Sequence, residues 1–496
     1  MTIECANPMS PKSLISNDFL SDIGLEEAAR VARTTFGYEN LRPHQTKVLE
    51  QVLAGRDCLA VLPTGAGKSL CYGLPARMRP GLVLVISPLI ALIRDQQHKF
   101  AASGIASAAL DSLQSMEERS AVWERLERRE LRLLIVSPER LARADFRERL
   151  KSEHLQLVAV DEAHCISQWG GHFRPDYRLI GSYLRDFGPV PKLAVTATAT
   201  AQVRDDIIQA LELRSPEVVW GGFARDNLRL KVVRADKVAD LFAATLQAVL
   251  SSDGSGIVYT PTRKQTREVC RMLESAGITS VMYHGGLSSE SRDEAQRAFM
   301  SDKVRVVVAT HAFGLGIDKA NIRFVHHAGM PGSLEQYVQE IGRAGRDGLP
   351  AKCSLVFGSR DYHVHKFMID KSYPELTLLR SLLGFARSYL AGSMGESPQA
   401  LVRHLCRESG LAQAEVESGL EVLCREGILI RLRTRIGGLG GYDEELITDD
   451  GSGDEASFFR DYPLRKLESL AKLEAMRSYA SLDAGRTDFL ESYFRG

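Results

Sequence analysis

The sequence predicts an α/β protein of two parallel-sheet lobes followed by a mainly helical C-terminal region. Residues 58–200 repeat one theme of short aliphatic run, polar or glycine-containing turn and helix-like stretch. The runs CLAVLP, GLVLVISP, LRLLIVSP, LQLVAVDE and KLAVTATAT are apolar at consecutive positions, as strands covered on both faces must be. A second series, GIVYTP, TSVMYH, VRVVVAT, IRFVHHAG and AKCSLVFG, starts near residue 254 after the turn-rich SSDGSG. Beyond about residue 360 the strand runs stop, helices take over, and a strand-like pair stands at 428–447.

Size and composition agree with that plan. A chain of 496 residues exceeds one hydrophobic core, and 44% apolar with 25% charged residues is ordinary for a globular protein. Lys+Arg and Asp+Glu both number 63, so any polyanion site has to be a local basic surface. The most apolar run, 82–93, is broken by Ser87 and Pro88 and is too short to span a bilayer. The opening MTIECANPMSPK has no basic start followed by an apolar core, so no signal peptide is expected. The eight cysteines, at 5, 58, 71, 165, 270, 353, 406 and 424, form no C-x-x-C pair and read as mostly reduced, buried thiols of a cytoplasmic protein.

The most informative stretch is LPTGAGKS, residues 62–69. It departs from the G-x-x-x-x-G-K-[S/T] phosphate loop by having Leu62 where the first glycine belongs. Its context is nevertheless strand, glycine turn, helix, in which backbone N–H groups and the positive end of the helix meet a phosphate. Gly65 and Gly67 supply backbone freedom, and Lys68 and Ser69 stand where an ammonium and a magnesium-binding hydroxyl belong. A plain strand-to-helix turn with a chance GKS is the alternative.

Asp161 and Glu162 follow the apolar strand LQLVAV directly, where one carboxylate can hold Mg²⁺ and the other can orient or deprotonate a water. A solvated surface pair is the other reading. His164 suits catalysis and packing equally. In YVQEIGRAGRDG, Gln339, Arg343 and Arg346 share a helix face at spacings of four and three, placing guanidinium groups where they can neutralise charge on a phosphate or pair with surface acids.

Taken in order, FGYENLRPHQ, LPTGAGKS, ISPLIALIRDQ, VSPERL, DEAHCISQW, TATAT, YHGGLSSESR, ATHAFGLGIDK and QEIGRAGRDG resemble the RecQ family of superfamily 2 DNA helicases, over about residues 25–360. The resemblance implies that both lobes are RecA-like and form a helicase core driven by ATP and Mg²⁺. Tyr38, Arg42 and Gln45 would recognise adenine; Thr64, Gly65, Ala66, Gly67, Lys68 and Ser69 would hold the phosphates, with Ser69 and Asp161 on the metal. Glu162 would be the base and Arg346 the arginine finger, supported by Gln339 and Arg343. Ser87, Thr196, Thr198, Thr260 and Thr310 mark segments that would grip one DNA strand. Single-stranded and forked DNA would be the partners, a monomer the expected form, and 3′ to 5′ the polarity. The implied settings are replication, recombination or repair.

Three departures qualify the resemblance. The aromatic loop reads WGGHFRPDY, residues 169–177, rather than W-G-H-D-F-R-P, leaving Trp169, Phe173 and Arg174 as the expected DNA contacts. Gly485 stands where the first cysteine of a zinc module would be and the other ligands are missing, so no structural zinc is expected unless cysteines lie beyond this chain. Residues 397–433 read as two amphipathic helices leading into a strand pair, a winged-helix plan with its wing at 433–442, for DNA, for protein or purely structural. The expected segments are an N-terminal extension (1–24), lobe 1 (25–222), lobe 2 (223–360), a helical connector (361–394), a winged-helix-like domain (395–448), and a linker with C-terminal helices (449–496). A nucleotide-switched DNA scaffold and an RNA-remodelling helicase are the alternative functions.

Overall fold

The computed structural model describes residues 17–496 except 89, 112–113, 168–174, 224, 315–316, 318, 392–394, 437–441 and 450–454. The first sheet is all parallel: β1 (Cys58–Val61), β2 (Leu82–Ile86), β3 (Ser107–Leu110), β4 (Leu133–Val136), β5 (Leu155–Val160), β6 (Lys192–Thr196) and β7 (Glu217–Trp220), in the order β3-β4-β2-β5-β6-β1-β7. Strand periodicity sorts the apolar runs onto two faces: Leu82, Leu84 and Ile86 enter one core, Val83 and Val85 the other. The second sheet is also parallel: β8 (Leu228–Arg234), β9 (Ser255–Tyr259), β10 (Ser280–Tyr283), β11 (Val306–Ala309), β12 (Ile322–Ala328) and β13 (Ala351–Phe357), in the order β10-β11-β9-β12-β13-β8.

The ten apolar runs all form strands, whereas β3, β7 and β8 do not stand out as apolar runs. All three lie at sheet edges. The strand β7 is half exposed and β8 alternates, because an edge strand needs less apolar cover.

Strand order places the functional loops. In the first sheet β5, β6 and β1 are neighbours, so DEAH, TAT and the glycine loop leave the same sheet end side by side. In the second, β11, β9 and β12 are neighbours, which gathers the segments after them, including the helix Leu334–Ile341.

Helices Leu376–Leu390, Pro398–Ser409 and Gln413–Arg425 pack with the antiparallel hairpin β14 (Ile430–Ile436) and β15 (Tyr442–Thr448) around a core of their own. The helix Glu455–Ala480 joins that core through Phe458, Phe459 and Tyr462, and the second lobe's core through Leu473, Met476 and Tyr479. Asp449 and Glu455, on either side of the acidic glycine-rich stretch, both accept from Arg387, at 2.7 and 2.6 Å. Among the described residues no helix is long and apolar enough to cross a membrane.

Candidate active site

The glycine loop is the first wall of a cleft of about 390 Å³ between the lobes. Leu62 continues β1: its N–H donates to Thr196 O at 2.9 Å and its side chain is buried in the core. The position where a glycine was expected therefore still sits in the core directly after β1, ahead of the glycine turn. Gly65 and Gly67 adopt φ of +81° and +76°, which L side chains resist. The amides of Gly65, Gly67, Lys68 and Ser69 take no backbone acceptor among the described residues, whereas Ala66 N and Leu70 N are turned back onto Pro63 O and Gly67 O. Unspent donors grouped ahead of a helix N-terminus form an anion nest.

The loop's carbonyls are tied on the opposite side. Gln45 Nε2 donates to Ala66 O at 2.9 Å, Arg42 donates to Gly65 O at 2.9 Å, and Gln45 Oε1 accepts from Arg42 N at 2.9 Å. A Cβ on Gly67 would lie 2.4 Å from Gln45 Nε2. Arg42 and Gln45 thus brace the loop in this arrangement, while Tyr38, 53% exposed at the cleft rim, offers an open aromatic face.

The acidic pair closes the floor. Asp161 is buried at the end of β5, where its Oδ2 accepts from Gln96 Nε2 at 2.8 Å and from Tyr72 OH at 3.4 Å. Burial raises its pKa, the neighbouring Glu162 charge raises it further, and Lys68 opposes both. Glu162 holds a left-handed backbone, φ +48°, a conformation that costs a non-glycine residue about 1–2 kcal/mol and clusters at functional sites. Its Oε2 lies 3.4 Å from His164 Nδ1, which is 3.0 Å from Thr196 Oγ1. Ser69 and Asp161 supply the hard oxygen donors that Mg²⁺ selects, beside backbone amides and Lys68 for its phosphates.

The second lobe supplies the opposite wall, though not as one helix face: the helix Leu334–Ile341 carries Gln339 and stops at Gly342, so Arg343 and Arg346 stand in the turns that follow it. A Cβ on Gly65 would meet Arg346 Cγ at 3.3 Å, and one on Gly342 would meet Thr64 Cβ at 2.7 Å, so two glycines permit the close crossing. Gln339 Nε2 donates to Thr198 Oγ1 at 3.3 Å, a direct bond between the lobes. Arg343 is buried and donates to Gly314 O; a Cβ on Gly314 would fall 2.2 Å from its guanidinium carbon. Arg343 therefore braces the segment after β11, leaving Arg346 as the arginine against the glycine loop. Arg225 donates to Gly342 O at 3.1 Å. Its pKa is lowered by burial and by repulsion from Arg346 and Arg42, a crowding of cations that an anion would relieve.

The proposed DNA-grip positions fall differently. Ser87 and Thr196 are wholly buried, and Thr196 is bonded to His164 and to Thr198 O (3.1 Å), so neither side chain can meet a backbone phosphate here. Thr260 is buried with its hydroxyl on Thr266 Oγ1 at 2.7 Å, and Thr310 is buried too. Strand ends that carry loops into a cleft are themselves core. Thr198 and Thr260 do line a second interlobe cavity of about 350 Å³, with His164, His311, His327 and Gln339. Trp169, Phe173, Arg174 and residues 437–441 of the wing lie outside the described residues. In the winged-helix-like unit, helix Gln413–Arg425 carries Glu415, Glu417 and Glu421 against a single Arg425, and Arg431 is held by Glu421 and by Glu445 at 3.3 Å. That helix offers phosphates no cationic grip.

Sequence reasoning passed over Gln96, Tyr72 and Arg225. Gln96 ends the quoted ISPLIALIRDQ, but its partner lies 65 residues on, a pairing that only the fold reveals.

Residues 42–207 match the DEAD/DEAH box helicase family and residues 237–348 the helicase conserved C-terminal domain. The chain is 42% identical, over 73% of its length, to an ATP-dependent DNA helicase RecQ of Pasteurella multocida, and spans 58% of that protein. It is 40% identical to a probable ATP-dependent DNA helicase RecS of Bacillus subtilis, covering 68% of each chain. A structure of Mycobacterium smegmatis helicase Lhr bound to ssDNA and AMP-PNP superposes with a TM-score of 0.55 at 21% identity, over 85% of this chain and 60% of that one, a likeness of fold alone. Two RecA-like lobes facing each other across a glycine loop, an acidic pair and an arginine-bearing turn define a superfamily 2 helicase core. Within that class, the chain belongs to the RecQ family.

Proposed function

We propose that this chain is an ATP-dependent DNA helicase that moves 3′ to 5′ along one strand and opens duplex or forked DNA. The observation that carries the reading is Arg346 of the second lobe standing over Gly65 of the first, beside Lys68 and across from Asp161 and Glu162. Tyr38 stacks on adenine, the amides of Gly65, Gly67, Lys68 and Ser69 and the Lys68 ammonium take the phosphates, and Ser69 with Asp161 would hold Mg²⁺, which neutralises phosphate charge when bound. Glu162 orients the attacking water and accepts its proton. Arg346 stabilises charge on the transferred phosphoryl group. Once the γ-phosphate has left, nothing holds Lys68 and Arg346 to a common anion, and the lobes part. The segments SPL, TAT, VYTPTR and ATHAFG grip the strand through backbone and loop contacts, with Trp169, Phe173 and Arg174 sensing bases; this grip is blind to sequence.

The deciding experiment is strand displacement on 3′-tailed and 5′-tailed forks with ATP and Mg²⁺. Displacement of the 3′-tailed fork alone is expected. DNA binding without rapid turnover would favour a nucleotide-switched scaffold, and stronger stimulation by RNA than by DNA would point to an RNA-remodelling enzyme.

Two further outcomes are expected. Gln96→Ala removes the amide that fixes Asp161, and turnover should fall about tenfold with a raised Mg²⁺ requirement, since partners of metal ligands are worth about 10–100-fold. An unchanged Mg²⁺ titration would sink that role. The eight cysteines offer no four-ligand spacing, so we also propose that folding needs no zinc. A zinc-selective chelator should leave the melting temperature unmoved, and a clear drop would overturn this.

A further inference from the structure

The C-terminal helix Arg486–Arg495 touches both lobes at once. Its Leu490 and Phe494 are buried in the second lobe's core. Tyr493 OH donates to Glu335 Oε1 at 3.0 Å, and Tyr479, at the end of the preceding helix, donates to Tyr337 OH at 3.3 Å. Both acceptors lie on Leu334–Ile341, the helix that carries Gln339 to Thr198.

The same last turns also meet the first lobe. Arg204 donates to Phe494 O at 2.6 Å and to Arg495 O at 2.8 Å, carbonyls of a last turn that a helix leaves without internal partners. A cation there also meets the negative end of the helix dipole. Arg204 belongs to the helix Ala201–Ala210, which begins just beyond Thr198. Glu491 accepts from Trp220 Nε1 at 3.2 Å and from Phe223 N at 2.6 Å, on the stretch where the chain crosses from β7 to β8. A Cβ on Gly496 would lie 3.0 Å from Ala201 Cβ. The C-terminal helix therefore closes a triangle with two others, one leading out of TAT and one leading into the arginines.

We propose that Arg204 and Glu491 are positioning residues for ATP hydrolysis: through the helix Arg486–Arg495 they set where the helix Leu334–Ile341, which leads into the arginines of the second lobe, stands relative to the TAT segment of the first. The inference rests on the two-lobe ATPase reading above. Neither residue lines the nucleotide cleft, so neither meets the reacting atoms. What they set is the register of Gln339 on Thr198, and with it the reach of Arg346 over Gly65. A misplacement of about 1 Å at a reacting centre can cost about 100-fold, so a partial loss of this strut should be visible in turnover.

The test uses the full chain with Arg204→Ala, Glu491→Gln and Arg204→Lys. The expected kcat of DNA-stimulated ATP hydrolysis falls about tenfold in Arg204→Ala and about threefold in Glu491→Gln, while the Kd of a fluorescent ATP analogue with Mg²⁺ stays within about twofold, because the glycine loop lies in the first lobe. Arg204→Lys should recover part of the loss, since an ammonium still donates to one carbonyl. Arg204→Ala combined with Gln339→Ala should be less than multiplicative, as both act through one contact.

Unchanged kcat in Arg204→Ala, a fully multiplicative double variant, or loss of nucleotide affinity equal to the loss of kcat each overturns the proposal. If Arg204→Ala does not fold, Glu491→Gln, of nearly the same size and shape, carries the test. A wild-type chain without ATPase would sink the parent reading instead. Amide exchange across Leu334–Ile341 would then still decide this one: faster exchange in Glu491→Gln supports it and unchanged exchange overturns it.

Discussion

Arg346→Ala is expected to lower kcat for ATP hydrolysis by about 1,000-fold, at the lower end of what an arginine finger contributes. Nucleotide binding should weaken far less, because the amides of the glycine loop, Lys68 and the exposed ring of Tyr38 all belong to the first lobe. The geometric ground is the crossing at Gly65, where a single added methyl would press on the Arg346 side chain at 3.3 Å. Arg343→Ala should behave differently. That side chain is buried on Gly314, so its removal leaves a polar carbonyl and a void, and loss of thermal stability should accompany loss of turnover. Steady-state ATPase with a parallel binding titration separates the two. An Arg346→Ala enzyme within tenfold of wild type would remove the arginine from the reaction.

Glu162→Gln is the second large effect. The substitution keeps length and shape, and it removes the ability to accept a proton. General-base catalysis is worth about 100- to 10,000-fold, so kcat should fall by about 1,000-fold with ATP affinity retained. Mant-ATP titration beside single-turnover hydrolysis checks both halves. A drop smaller than tenfold would transfer the role of base to another group. The strained backbone at Glu162 supports the assignment: a left-handed conformation at a residue other than glycine is kept only where the surroundings impose it, and here it aims the carboxylate at His164 rather than along the strand.

Much of the fold and of the site could be read in the chain itself because both rest on local pattern. Consecutive apolar residues locate the central strands, and the glycine turn and acidic pair follow directly on strand ends, whereas the arginines stand in turns beyond the helix Leu334–Ile341 rather than on it. What could not be read depends on distant partners. Gln96 serves Asp161 across 65 residues, and Arg42 and Gln45 face the loop's carbonyls because the helix Pro43–Leu53 packs beside it. Ser87 and Thr196 illustrate the converse error. Their motifs point to DNA, but Thr196 ends β6 and Ser87 directly follows β2, and both are wholly buried, so any grip there falls to neighbouring backbone. The missing glycine at Leu62 has the same origin, since it lies one residue too early to belong to the turn.

The helix Glu455–Ala480 runs 26 residues, about 39 Å at 1.5 Å per residue, with one end rooted in the winged-helix-like unit and the other in the second lobe. A continuous rod anchored at both ends acts as a boom. Any swing of the second lobe during a catalytic cycle carries the outlying unit with it through a comparable distance, turning ångström-scale closure at the nucleotide into displacement far from it.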